Sequence, residues 1–250
     1  FSWHSGELES SNQQLTMSSF CEWVKTNGVV HLKLTGGGDD HYLTMEALDE
    51  LHHKLAEIRK LAAVEPCRGL ITSSSTGSFC NGIDYYEHAR ASMEMTVAEK
   101  ASVLADRMAA VIKELLAMPM LTVCAATGNA ASLGLALALA HDDLVVLSEA
   151  SYSLGMVKEG VAVHPHIGAL IREKTDRWYT LTTLKSRSHS GNWMRRWYVA
   201  DCEAGSPDDV LREAQKLVDE WTSSDGMVHA DMRKQLYRET WAAVSAIVPE

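Results

Sequence analysis

Two short turns carry the residue types from which an oxyanion-gripping site could be built. One is Phe79-Cys80-Asn81-Gly82-Ile83-Asp84, and the other is Thr127-Gly128-Asn129-Ala130-Ala131-Ser132-Leu133-Gly134. Each follows a strand-like apolar run, Gly69 to Ser73 in the first case and Leu121 to Ala126 in the second. The second turn then leads into the apolar helix Leu135 to Ala140. Small residues at such corners let the chain turn sharply with backbone N–H groups left facing outward. Two such donors converging on one point would stabilise an oxygen on which negative charge develops. Asn-Gly is first of all a turn dipeptide, so the first corner alone says little. Two corners in order, each with its strand and helix, say more.

The other reactive side chains read as structural. Five cysteines (Cys21, Cys67, Cys80, Cys124, Cys202) are scattered, odd in number and without a C-x-x-C pair, which suggests a reducing compartment and no disulfide framework. Cys80 lies inside the first turn, where a buried structural thiol is the leading reading and a nucleophile the alternative. His52 and His53 are adjacent on a helix and diverge. His164-Pro165-His166 has no Cys or carboxylate at a ligand spacing, so both pairs read as surface or loop histidines and no metal site is expected.

Composition bounds the rest. With 250 residues, 46% hydrophobic and 22% charged, the chain suits one globular domain with a full core and a helical appendage. No apolar run approaches the roughly 20 residues that span a bilayer. A net charge of -10 argues against nucleic acid or an anionic membrane as the main partner. Seven Trp and eleven Met fit either an ordinary core or extra surface buried on partners.

The elements that must position the two turns follow an α/β order. Val29 to Leu34 alternates as a strand, and Met45 to Leu61 carries apolar residues at helical spacing. Gly69 to Ser73, Leu121 to Ala126 and Leu144 to Leu147 read as buried strands, with an amphipathic helix from Ala98 to Leu116. Ser206-Pro207-Asp208-Asp209 is a helix start, with an N-cap Ser, Pro at the first position and acids in the first turn. A last amphipathic helix is expected from about Ala230 to Ile247. The chain divides on this reading into an N-terminal extension (1–27), a core (28–171) and a divergent segment with C-terminal helices (172–250). Within the last, 172–205 reads as an irregular excursion in which Trp178, Trp193 and Trp197 define no helix face.

Taken together, the two turns resemble the oxyanion loops of the crotonase (enoyl-CoA hydratase/isomerase) superfamily. An F-[SC]-x-G-x-D loop is matched by Phe79 to Asp84, and a Gly-rich turn opening a helix by Gly128 to Gly134. The resemblance is closer to the plant-type isomerases that convert 3-enoyl-CoA to 2-enoyl-CoA, in which a G-x-A-A-x-x-G-L-x-L-A-L-x-H-D helix recurs; residues 128–142 repeat it. It implies a spiral of β-β-α units with a C-terminal helical region, and an acyl-CoA thioester as substrate, its enolate held by the N–H groups of Ile83 and Leu133. Asn81, Gly82 and Gly134 would shape the backbone facing that substrate. Asp84 would fix its loop, and His141-Asp142 would close the helix by packing.

In the resembling isomerases one Glu moves the proton, and its position here is Met156, a thioether that accepts no proton at neutral pH. The second Glu of the hydratases falls on Ala136. Three explanations stay open. Glu159 lies one turn after Met156 and could reach the same space; its alternative is a solvated surface acid. His164 could act as base, since imidazole titrates near neutrality; its alternative is a loop histidine. Otherwise the site is degenerate and the fold serves as a structural subunit of a larger organellar assembly. Lys158, Arg233 and Lys234 could meet CoA phosphates, with solvated helix charges as the equal alternative. The resemblance implies no cofactor beyond the CoA of the substrate, and a trimer or larger complex. Phe1 in place of Met makes a removed mitochondrial presequence the expectation; Ile247-Val248-Pro249-Glu250 is not a Ser-Lys-Leu type of peroxisomal address.

Overall fold

Asn27-Gly28 sits between two alternating runs, and both residues take positive φ (51° and 79°), the two-residue turn whose twist matches that of its strands. It joins β1 (Cys21–Thr26) to β2 (Val29–Leu34) as an antiparallel hairpin, with Thr26 opposite Val29. The boundary expected at 27/28 therefore cuts through a hairpin, and β1 belongs to the core. The computed structural model describes residues 19–84, 95–221 and 225–248. Residues 1–18 of the expected extension, and the last two residues of the chain, lie outside them. After β2 comes α1 (Met45–Val64), capped by Thr44, whose hydroxyl accepts from the Ala47 N–H.

Parallel strands need long crossovers to return to the same edge, and the chain builds them three times in one manner. β3 (Gly69–Ser74) is followed by the short β4 (Ser78–Cys80) and then α2 (Val97–Leu116). β5 (Leu121–Ala126) is followed by β6 (Asn129–Ala131) and α3 (Leu133–Leu139). β7 (Asp143–Leu147) is followed by β8 (Ser151–Ser153), a 3₁₀ turn (Met156–Glu159) and α4 (Pro165–Lys174). The first strand of each unit enters one sheet and the second enters another. A six-stranded sheet runs β1-β2-β3-β5-β7 with a sixth strand at its far edge, and a four-stranded sheet begins β4-β6-β8.

Residues 172–205 are more ordered than their composition suggests. They hold α5 (Arg177–Thr183), β9 (His189–Ser190), α6 (Gly191–Arg196) and β10 (Cys202–Ala204). β10 is the sixth strand of the large sheet, parallel to β7, and β9 closes the small sheet against β8. Aromatic contacts bind these pieces: His189 stacks on Trp193 with ring centres 3.6 Å apart, and Trp197 lies against both Trp193 and Trp178.

The large sheet is covered on both faces, as parallel sheets require. One face meets the main core with α1 to α4. The other, through Ile71, Leu121, Val123, Ala125 and Val145, meets Val210, Ala214 and Val218 of α7 (Pro207–Glu220). Ser206 caps α7 by accepting from the Asp209 N–H, as its sequence predicts. The expected single terminal helix is two, α8 (Gly226–Leu236) and α9 (Arg238–Ile247), broken where Tyr237 leaves helical geometry.

Candidate active site

The pairing of β4 with β6 in the small sheet brings the two turns together. Gly82 takes φ 72°, and a Cβ there would lie 2.5 Å from the Ala131 carbonyl oxygen and 2.8 Å from the Leu133 nitrogen. Only glycine combines that φ with so close an approach. Gly134 packs in the same way against the Cys80 carbonyl, where a side chain would overlap it. Between them Ser132 holds a positive φ of 53°, a backbone strain of about 1–3 kcal/mol, while its N–H donates to the Ser153 carbonyl. The N–H groups of Ile83 and Leu133 donate to no acceptor among the described residues.

Ile83 and Leu133 line one cavity of about 250 Å³. Its far wall is α2, where Ala98, Ala101, Ser102 and Ala105 recur at helical spacing and leave room by being small. Met156, Val161, Val163, His164 and Ile167 complete it. A second, outer cavity of about 310 Å³ meets the first at Ile83 and is lined by Tyr42, Asn81, Asp84, Ser153, Lys158 and Glu159 among others.

The turn after β8 separates Glu159, expected as a relocated base, from Met156, which stands at the base position. Gly155 and Gly160, both left-handed, bound the 3₁₀ turn from Met156 to Glu159. At about 2 Å per residue, Glu159 stands about 6 Å further along the axis. Met156 is buried in the inner cavity, whereas Glu159 is exposed and lines the outer one. Glu159 therefore does not reach the space that Met156 occupies. Lys158 lines the outer cavity beside it.

Several other sites are corrected. Arg233 is 3% exposed and spends its donors internally: Nε and one terminal nitrogen on the Asp142 carboxylate at 2.6 Å, the remainder on the carbonyls of Leu115, Leu116, Met118 and Met120. It holds the C-terminal end of α2 and meets no open pocket. Lys234 pairs with Asp231 at 3.1 Å, lies over the Trp241 ring and lines neither cavity. The Asn81 amide donates to Asp40 at 2.7 Å, which commits it to the loop. Cys80 donates its thiol proton to the His41 carbonyl and burial pushes it up to about 12, which removes it as a nucleophile. His141 is buried between the Leu137 carbonyl and Thr72, and burial pushes it down to about 4. Burial alone would raise the neighbouring Asp142 carboxyl, but the hydrogen bond to His229 and the Arg233 charge hold it well below the usual carboxylate range.

What the sequence did not reveal is the carboxylate that reaches His164-Pro165-His166. Asp106 comes from α2, and its Oδ1 lies 3.3 Å from His164 Nε2. Potential ligand atoms of Asp106, His164 and His166 lie within 4.8 Å of one another, the one such cluster among the described residues. Hydrogen bonds close it: His164 Nδ1 faces His166 Nδ1 at 2.9 Å, and His166 Nε2 donates to the Ala105 carbonyl at 2.9 Å. The available signal was Ser102 and Asp106 beside the alanine stripe of α2.

Comparison with known proteins gives the family and the fold. The sequence model of the enoyl-CoA hydratase/isomerase family matches residues 25–244. Enoyl-CoA delta isomerase 1, peroxisomal, of Arabidopsis thaliana is 29% identical over 227 residues, covering 88% of this chain and 90% of its own. Enoyl-CoA delta isomerase 2, peroxisomal, of the same plant is 27% identical over 230 residues, covering 88% and 92%. Among solved structures, an enoyl-CoA isomerase of Mycobacterium tuberculosis superposes with a TM-score of 0.79 at 16% identity, over 92% of this chain and 96% of its own. An enoyl-CoA hydratase/isomerase family protein of Pseudomonas syringae gives 0.77 at 18% identity, over 92% and 97%. These neighbours share the crotonase fold. With the family matched from residue 25 to residue 244 of 250, the chain belongs to the enoyl-CoA hydratase/isomerase family.

Proposed function

We propose that this protein binds the thioester end of a 3-enoyl-CoA in the inner cavity and shifts the double bond to give the 2-enoyl-CoA. The observation that carries the reading is the pair of backbone N–H groups, Ile83 and Leu133, brought together at Gly82 and without an acceptor among the described residues. Such a pair grips the thioester oxygen more tightly as it becomes an enolate oxygen, so it lowers the barrier to removing the C2 proton. Among the described residues no carboxylate lines the inner cavity, so the two carboxylates a hydratase would use on water are not found there, and isomerisation, which needs a single proton-carrying group, is the simpler fit. The names of the two Arabidopsis relatives point the same way. The CoA moiety would leave through the outer cavity, past Lys158.

A structural subunit is the competing reading, and it expects a filled pocket together with tryptophans on a partner-facing surface. Trp178 and Trp197 are exposed by 50% and 38%, which fits its second expectation. The open inner cavity speaks against the first. The test is turnover of 3-hexenoyl-CoA and 2-hexenoyl-CoA by the purified chain, with hexanoyl-CoA binding by calorimetry. Isomerisation without hydration is expected. Neither binding nor turnover would sink the enzyme reading in favour of the subunit.

A further inference from the structure

We propose that His164 is the proton-transferring base of this site, held in one tautomer by His166 and supported in its charged form by Asp106. The inference rests on the isomerase reading and names the group that reading lacks. Among the described residues lining the inner cavity, His164 carries the one basic side chain, the others being apolar apart from the Ser102 hydroxyl. Ile83 and Leu133 line the same cavity, so the imidazole and the two N–H donors serve one space.

The hydrogen bonds decide where the imidazole lone pair lies. A carbonyl only accepts, so His166 must carry its proton on Nε2 to bond Ala105. Burial first, and the neighbouring His164 charge second, push His166 down to about 4, so it is neutral at pH 7 and its Nδ1 is an acceptor. His164 Nδ1 therefore donates to it, and in the neutral ring the lone pair is left on Nε2. That atom opens between Ser102 Oγ, 3.5 Å away on the cavity wall, and Asp106 Oδ1 at 3.3 Å. Once Nε2 is protonated, the Asp106 carboxylate 3.3 Å away offsets the new charge. Pro165 sets the backbone for this: it opens α4 and holds His164 extended at φ -65° and ψ 146° as the residue before it.

The step balances without any other reactant. The Nε2 lone pair takes the proton from C2, and the C–H electron pair becomes the C1=C2 bond of a dienolate. The carbonyl π pair moves onto the thioester oxygen, between the Ile83 and Leu133 N–H groups. The C3=C4 pair then takes the same proton from Nε2 at C4, the C1=C2 pair shifts to C2=C3, and the oxygen returns its pair to the carbonyl. His164 ends neutral, with His166 and Asp106 as positioning residues.

The test uses the full chain with 3-hexenoyl-CoA as substrate and hexanoyl-CoA as the unreactive ligand. His164→Gln is expected to lose roughly 10²- to 10⁴-fold in kcat while keeping its affinity for hexanoyl-CoA and its melting temperature. Asp106→Asn is expected to move the acid limb of the kcat/KM profile to lower pH, because a missing anionic partner weakens the hold of the ring on its proton. Met156→Glu, placed on the His164→Gln background, is expected to restore turnover by putting a carboxylate into the same cavity. Wild-type turnover in His164→Gln, or loss of turnover in Glu159→Gln alone, would overturn the assignment while leaving the isomerase reading intact. Turnover by Met156→Glu but not by the wild type would also overturn it and still support the thioester site. No binding and no turnover in either protein would remove both.

Discussion

The two ends of α2 carry similar residues put to opposite use. At its C-terminal end Asp142, His229 and Arg233 converge on the carbonyls of Leu115 and Leu116, and every guanidinium proton and carboxylate oxygen is taken. Toward its N-terminal end Ser102 and Asp106 meet His164 and His166, and His164 Nε2 has only a long 3.5 Å contact with Ser102 Oγ and the Asp106 charge beside an open cavity. Both clusters contain an aspartate and a histidine, so residue type does not separate them. What separates them is saturation: a polar group whose partners are all internal stabilises the fold, and one with spare capacity facing a cavity is available for chemistry.

Breaking the saturated end should have the largest effect. Arg233→Met would remove the guanidinium that balances the buried Asp142 charge and leave that carboxylate only its Thr122 and His229 hydrogen bonds, and urea unfolding is expected to show a loss of about 3–5 kcal/mol. Hexanoyl-CoA affinity of the folded fraction should not change. Lost affinity at unchanged stability would mean that Arg233 serves the ligand after all, and the contrast would collapse.

The open end is probed through its donors. Gly82→Ala adds a Cβ against the Ala131 carbonyl at positive φ and should misalign the Ile83 and Leu133 pair, with kcat falling roughly 10²- to 10³-fold, about 3–4 kcal/mol. Steady-state kinetics on a variant that still melts cooperatively checks this.

Acid should strain both ends at once. His141 and His166 are each held neutral by burial at about 4, whereas the unfolded chain takes up their protons at the ordinary imidazole value near 6.5. Their contribution is thus complete above about pH 6.5 and is lost as pH falls toward 4, roughly 3 kcal/mol for each. Melting followed across that window should show the decline, and His141→Gln should remove about half of its pH dependence. A flat profile would mean that the fold holds neither ring neutral. The smallest effect belongs to the outer cavity, where Lys158→Ala should raise KM a few-fold with kcat unchanged, since one exposed ion pair contributes roughly 0.2–1 kcal/mol.

The donor half of this site was readable from the chain and the base half was not, for a physical reason. Gly82 and Gly134 must be small because backbone passes against them, and that demand leaves its mark at fixed local spacing. The base cluster joins α2 to a turn about 60 residues later, and no local pattern records which acid will face His164. Arg233 shows the converse failure: a cation near the chain end looks solvated until burial is known. β2, β3, β5 and α2 were legible within a few residues: β3 and β5 because strands covered on both faces are apolar along most of their length, β2 by its alternation and α2 by its helical spacing. Residues 172–205 were not, because Tyr179, His189, Trp193 and Trp197 sit on separate short elements and meet only in space.

The two-sheet spiral has an effect on how such a protein can drift. Ile83 lies three residues beyond β4 and Leu133 two beyond β6, and these are neighbouring strands of the small sheet. The two donors are therefore anchored by the pairing of these strands and by the close approach of Gly82 to Leu133. Proton-handling side chains come instead from helices and turns packed around that sheet, each replaceable without disturbing it. The part of the site that tolerates least error is carried by the backbone, so a change of side chain at position 156 or in the next turn leaves the two donors where they are.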